Sequence, residues 1–364
     1  MPLYMDFHKL GSSDISKEEL IKIHDEDLAI QERFGVFELK YWVNLDAKNL
    51  FCLAQAPSKE AFNNVHKHSH GRTACNIIEV SEDEFNLFFG VGKSVNDIAH
   101  TESGEFDTGF RTILLLSHAD LSSQGNHYIK EVNRLIEYHK GTRVIYPDDD
   151  IMVSFIFASN AILCAKAIHK LLMSIPDNIE FNITLVSGKP VDETSIDIFE
   201  EAKKKVQYLC ALGLKKTMYL DSETKILSDK ERMSSKIKTE DFNLVKNEDF
   251  VFSFQLFDIL ENRIDQPEFK SEEIDKMLGL SKSQTYRKIK SLTGIAPNQL
   301  IQEFRLRKSL KCLKQHSKTI SETAYNLGFN SPAYFAKVFR KRFNSTPTHF
   351  TKISEGSQFY HPSI

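Results

Sequence analysis

Apolar and polar positions along the 364 residues fall into two periodicities. Between residues 1 and 80, short runs with strand character (ELKYWV, NLFCLAQA, CNIIEV) separate two helical patterns, KEELIKIHDEDLAIQERFG and SKEAFNNVHKHSHG. Alternation puts side chains on opposite faces of a strand, whereas apolar residues three or four apart line one stripe of a helix. With MPLYMDFHKL as first strand, the pattern predicts β-α-β-β-α-β. Residues 110–228 repeat it: strand RTILLLS, helix NHYIKEVNRLIEYHK, strands RVIYP and IMVSFIF, helix SNAILCAKAIHKLLMSI and strand FNITLVSG. A helix, DIFEEAKKKVQYLCALG, and a strand, KTMYLD, complete this block. Polar stretches at 81–109 and 229–250 read as linkers. From Phe250 onward the pattern is helical.

The order β-α-β-β-α-β is the ferredoxin-like one. The expected fold is multidomain, with two α+β ferredoxin-like domains at 1–80 and 110–228 and an all-α domain at 251–352. Composition agrees: 41% hydrophobic and 27% charged residues suit soluble globular domains. The longest apolar stretch, residues 151–168, is broken by Ser154, Ser159, Asn160 and Lys166. It is shorter than the roughly 20 residues a bilayer core requires. The N-terminus has no basic run followed by an apolar one, so secretion is not expected. Five scattered cysteines without CxxC spacing argue against a disulfide framework. A cytoplasmic protein without membrane contact is the expectation.

The net charge of −3 conceals an asymmetry. From Ser281 to Lys352 there are 15 Lys and Arg against two acids, Glu303 and Glu322, a local charge of +13. The rest of the chain carries −16. Phosphate-binding surfaces need such local charge, and here it is interleaved with apolar residues at helical spacing. The same region repeats itself at an interval of 50 residues. Ser281 aligns with Ser331, Arg287 with Lys337, Ile289 with Phe339, Lys290 with Arg340 and Gly294 with Asn344. Each copy follows a short helix ending in Leu-Gly, and Gly279 and Gly328 suit a tight turn to a second helix. Ser281 with Gln284, and Thr319 with Glu322, read as capping boxes. Pro297 begins a helix, NQLIQEFRLRKSLKCLKQ, that would join the two units.

Two helix-turn-helix units on one connecting helix resemble the DNA-binding domain of the AraC family of bacterial transcription regulators. The resemblance covers residues 253–350. Its strongest stretches are GLSKSQTYRKIKSLTGIAPNQLIQEFRLRKSLKCL and ISETAYNLGFNSPAYFAKVFRKRFNSTPTHF. It implies that helices 281–292 and 331–343 enter successive major grooves about one helical turn apart. Positions near the exposed front of these helices are Ser283, Gln284 and Arg287, then Ala333, Tyr334 and Lys337. Arg287 has the chemistry to pair with guanine O6/N7, and Lys337 to contact guanine or phosphate; contact with phosphate or solvent alone is the alternative for both. Gln284 is either a cap partner or a base reader. Lys282, Tyr286, Lys290, Arg340 and Lys341 complete the candidate DNA-binding set, the last three suited to phosphate. Thr285, Ile289, Phe335 and Phe339 fall on the opposite face and should be core. Double-stranded DNA is the expected partner, bound by a homodimer, with RNA polymerase a further candidate.

In the first block, His24, Asp27 and Gln31 share a helical face, and His66 and His70 are i, i+4 on the second helix. That spacing can place two imidazoles on one metal. Cys52 lies on the third strand, while His68 points elsewhere. The stretch HDEDLAIQERFGVFELKYWVNLDAKNLFCLAQAPSKEAFNNVHKHSHG resembles a small ferredoxin-like family that includes a nickel-binding member. By that resemblance His24, Cys52, His66 and His70 are the candidate ligands of a divalent transition metal, nickel or zinc. A dimerising sheet domain whose histidines are surface or interface residues is the alternative.

The middle block, through RTILLLSHADLS, RVIYPDDDIMVSF and DIFEEAKKKVQYLCALG, resembles the class III nucleotide cyclase domain. The resemblance implies two metal-binding carboxylates, plus an Asn and an Arg on the later helix. Asp149 matches the second carboxylate. Ser117 replaces the first, Asp120 is displaced by three residues, and Lys204 and Tyr208 stand where Asn and Arg are expected. Cyclisation should be lost or very slow, and no enzyme is expected. The sequence therefore reads as a DNA-binding transcription regulator responsive to a metal ion or small molecule through its first two domains. The rival readings are a cyclase-related enzyme and a metal-binding protein with an accessory DNA-binding domain.

Overall fold

The computed structural model describes residues 1–10, 16–90, 97–122, 128–145, 150–175, 179–213, 215–231 and 237–358. Its first unit comprises β1 (Leu3–Lys9), α1 (Lys17–Ile30), β2 (Phe37–Asn44), β3 (Asn49–Gln55), α2 (Lys59–Ser69) and β4 (Asn76–Val80). α3 (Glu82–Phe89) and β5 (Asp97–Ile98) follow. The sheet order is β4-β1-β3-β2-β5, antiparallel except where β5 joins β2 in parallel. Strand alternation divides β1 cleanly. Leu3, Met5 and Phe7 face a core shared with the next unit, while Tyr4 joins Leu20, Phe62 and Val65 under α1 and α2. Asp6 and His8 have the parity of Tyr4, so two ionisable groups sit beneath the helices.

The second unit contains β6 (Arg111–Asp120), α4 (Tyr128–Tyr138), β7 (Thr142–Val144), β8 (Ile151–Phe155), α5 (Ala158–Ser174) and β9 (Ile179–Gly188). It continues through α6 (Glu200–Leu212), β10 (Thr217–Asp221), α7 (Ser222–Lys230) and β11 (Asn243–Val245). Its sheet order is β11-β10-β9-β6-β8-β7, with β6 antiparallel to both β8 and β9. α4 and α5 cover one face through Val132, Ile136, Ile162 and Ile168. Val206 and Leu209 of α6 join Ile113, Leu115 and Val186 on the other, in the same core as α3. Both expected linkers contain regular structure. α3 forms within 81–109 because Phe85, Phe88 and Phe89 give its acidic sequence an apolar stripe against the core, and β11 forms within 229–250.

The last unit is all helical: α8 (Asn247–Arg263), α9 (Ser271–Met277), α10 (Lys282–Thr293), α11 (Pro297–Lys314), α12 (Ile320–Asn326), α13 (Pro332–Phe343) and α14 (Pro347–Gln358). Pro297 opens α11, as its missing N–H permits. Gly328, at φ +71°, packs so closely that an added Cβ would lie 2.2 Å from the Ile264 carbonyl oxygen. Arg305 of α11 donates to the Ile264 and Gln266 carbonyls and ties the two halves together. The chain is thus multidomain, two α+β units followed by an all-α unit. No helix among the described residues is long and apolar enough to cross a membrane.

Candidate metal centre and DNA interface

Beneath α1 and α2 the first sheet encloses a cavity lined by His8, His24, Asp27, Cys52, His66 and His70. β1 contributes Asp6 and His8, β3 contributes Cys52, and β2 contributes Glu38. His66 is the hub, donating from Nε2 to Asp6 at 2.7 Å and from Nδ1 to Asp27 at 3.1 Å. His8 stands 3.0 Å from Asp6, His70 3.4 Å from Asp27, and His24 3.0 Å from Glu38. Ser69 donates to Asp27, Cys52 N–H donates to Asp6 at 2.8 Å, and Gln31 accepts from Glu38 N–H at 2.7 Å.

Burial alone would lower the His66 pKa, but hydrogen bonds to Asp27 and Asp6 outweigh it and raise it to about 10. Burial would likewise raise Asp6 and Asp27; the histidines beside them instead hold both well below the usual carboxylate range. Burial, then the charges of Asp6, Glu38 and Asp27, push the Cys52 thiol well above its ordinary value. Without metal, then, the centre is an imidazolium between two carboxylates.

Among the described residues, three groups have donor atoms within 4.8 Å of one another: Asp6, His8 and Cys52; Asp27, His66 and His70; and His24, Asp27 and Glu38. The sequence-predicted His24, Cys52, His66 and His70 line one cavity but fall into all three groups rather than one coordination set. Imidazole, carboxylate and one thiol make a borderline-soft set suited to nickel, zinc or copper ions. His24 Nε2 and Glu38 Oε1 are buried with no hydrogen-bond partner, as donor atoms awaiting a ligand would be. The residues present fit a transition metal. Its ligands bind deprotonated, so a metal taking His66 must displace its proton. Asp6, His8 and Glu38 escaped the sequence reading, although the alternation of Asp6 and His8 with apolar neighbours in LYMDFHK was a visible signal. His68 is exposed and held to the Asn64 carbonyl, away from this centre.

In the last unit, α10 and α13 are the second helices of the two repeats. Ser281 and Gln284 cap each other reciprocally, at 3.3 and 2.9 Å, as do Thr319 and Glu322. The Gln284 carbonyl oxygen is therefore engaged at the cap. Gly294 and Asn344 end α10 and α13 at φ +79° and +53°, where glycine and asparagine carry the least strain. Thr285, Ile289, Phe335 and Phe339 are fully buried. Lys282, Ser283, Gln284, Tyr286, Arg287 and Lys290 on α10 are exposed, as are Ala333, Tyr334, Lys337, Arg340 and Lys341 on α13. An open groove along α13 is lined by Ala336, Lys337, Arg340, Lys341, Asn344 and Thr346. Arg342 turns inward instead, donating to Glu303 of α11 and to Glu180 of β9.

In the middle unit Ser117 and Asp120 lie on β6, and Asp149 lies outside the described residues. Lys204 pairs with Glu200, and the Tyr208 ring packs on Phe254 and Phe257 of α8.

Residues 275–353 match the family described as a helix-turn-helix domain, and residues 4–80 the family described as nickel responsive protein SCO4226-like. Among curated relatives, histidine kinase P4 of Formosa agariphila is 37% identical over 94 residues, 26% of this chain and 7% of that protein. The HTH-type transcriptional regulator MtrA of Neisseria gonorrhoeae is 32% identical over 103 residues, 28% of this chain and 33% of its own length. The chain thus spans a third or less of either protein. The crystal structure of SCO4226 from Streptomyces coelicolor A3(2) is 32% identical with a TM-score of 0.20, covering 21% of this chain and 94% of that one. By these family matches, residues 4–80 are similar to the nickel responsive protein SCO4226-like family, and residues 275–353 to helix-turn-helix domains.

Proposed function

We propose that the protein is a sequence-specific, DNA-binding transcription regulator whose first domain binds a divalent transition metal, nickel or zinc. One observation supports the DNA reading above others: two capped helices on a common connecting helix both leave their basic fronts exposed in the intact chain. Arg287 and Lys337 read base edges in this proposal, and Lys290, Arg340 and Lys341 hold phosphate. Operation in the cytoplasm, as a homodimer that contacts RNA polymerase, belongs to the same proposal. No catalysis is proposed, since Ser117 supplies a hydroxyl where two-metal chemistry requires a carboxylate.

The metal reading is supported by the buried cluster and its two unpartnered donor atoms. Calorimetry at neutral pH tests it directly. Stoichiometric uptake of nickel or zinc, weakened in His70→Ala, is expected. Absence of uptake would leave the first domain as a dimerisation unit. For the DNA reading, fluorescence anisotropy should show affinity for a preferred duplex falling linearly in log–log form with salt. Equal affinity for unrelated duplexes would refute sequence-specific regulation.

A further inference from the structure

α6 touches a different neighbour at each end. Its N-cap residue, Phe199, is fully buried and has φ +53°, a left-handed backbone that is an outlier for a bulky side chain. Such strain persists only where the surroundings over-determine it. The Phe199 ring lies 4.7 Å from Phe88 and 5.7 Å from Phe89, both on α3. Phe89 in turn lies 4.6 Å from Trp42 of β2, and the adjacent Tyr41 stands 4.0 Å from His24 in the buried cluster. Lys203, in the first turn of α6, pairs with Glu84 of α3 at 2.8 Å. Asn76 of β4 donates to the carbonyls of Asp192 and Ser195, in the segment that leads into the helix.

The other end of α6 belongs to the helix-turn-helix unit. Arg307 of α11 donates to the carbonyls of Cys210 at 2.9 Å and Ala211 at 3.1 Å, and also to Gly213. A guanidinium there satisfies carbonyls that a helix terminus leaves without partners and complements its negative dipole end. Tyr208 packs on Phe254 and Phe257 of α8 at 5.1 and 4.9 Å. At 1.5 Å per residue, α6 is a rod of about 20 Å between these two sets of contacts.

We propose that α6 is the coupling element of the chain, carrying a shift of α3 at Phe199 through to Arg307 and the connecting helix α11. Rigid elements held at both ends are the physical means by which distant sites influence one another. Its regulatory use rests on the proposed function, but the mechanical claim needs neither metal nor DNA.

Hydrogen exchange on the full chain tests it. Arg307→Gln should speed exchange about tenfold at residues 197–204 and 82–89, because local openings at the two ends are linked. Phe199→Gly, which removes the ring and relieves the backbone, should do the same at residues 208–213 and 304–311. Should that variant not fold, Lys203→Met takes its place. Faster exchange confined to the mutated end in either variant overturns the proposal. As a second arm, Arg307→Gln and Phe199→Gly should combine non-additively, by about threefold or more, in their effect on duplex affinity. Additive effects overturn the coupling. A wild-type chain that prefers no duplex overturns the regulator reading instead, and exchange then decides the relay alone.

Discussion

His66, only 1% exposed, faces a carboxylate from each ring nitrogen and packs on the Phe62 ring at 5.1 Å. Its raised pKa contributes stability that is fully present below about pH 6.5 and is lost as pH rises toward the folded value of about 10. Asp6 and Asp27, with depressed values, contribute stability present above about pH 3.8 and lost on acidification. Denaturant unfolding of the metal-free protein should therefore weaken on either side of a mildly acidic optimum. His66→Phe removes the shared partner of two buried carboxylates, leaving Asp6 to His8 and Cys52 N–H and Asp27 to His70 and Ser69. It should cost about 3 kcal/mol at pH 6, with a flatter alkaline limb. An alkaline limb as steep as that of wild type would show that another group carries the effect. His66 and His70 were legible from their helical spacing. Asp6 was passed over despite its alternation with apolar neighbours, because the His66 that gives it a role lies 60 residues away.

α10 and α13 are where sequence and structure agree most closely, and the reason is local chemistry. Caps, turn glycines and a stripe of buried Ile and Phe are all encoded within a dozen residues of one another. α3 was missed for a complementary reason: its acids suggested a linker, and its apolar stripe matters only against a core supplied by distant residues. Predictions at this scale concern the exposed fronts. Arg287→Ala and Lys337→Ala should each weaken specific binding by about 1–3 kcal/mol and relax base preference in one half of the site. Lys341→Ala should weaken all duplexes alike and reduce the salt slope by about one unit. Unchanged preference in Arg287→Ala would mean that α10 meets DNA in another orientation. Gly328→Ala should lower the unfolding midpoint sharply, since its Cβ would collide with the Ile264 carbonyl.

Across the whole molecule, the helix-turn-helix unit meets the second unit through apolar contacts of Leu121 and Leu212 and through charge. Arg342 lies between Glu303 and Glu180, and Lys311 pairs with Asp150 at 2.8 Å beside the start of β8. No periodicity announces the pairs with Glu180 and Asp150, which join residues more than 150 positions apart, so the arrangement of the units was beyond the sequence reading. Arg342→Ala leaves Glu180 and Glu303 without this partner and should destabilise by about 3 kcal/mol, seen as earlier unfolding of the last unit. An unchanged unfolding curve would reduce the seam to a surface contact. The central claim, that both reading helices act together on DNA, is tested most directly by selecting bound duplexes from a random pool with the intact protein, with and without nickel. The expected outcome is enrichment of two short elements about 10 base pairs apart, one helical turn, with an enrichment that responds to nickel. Recovery of the unselected pool under both conditions would contradict it.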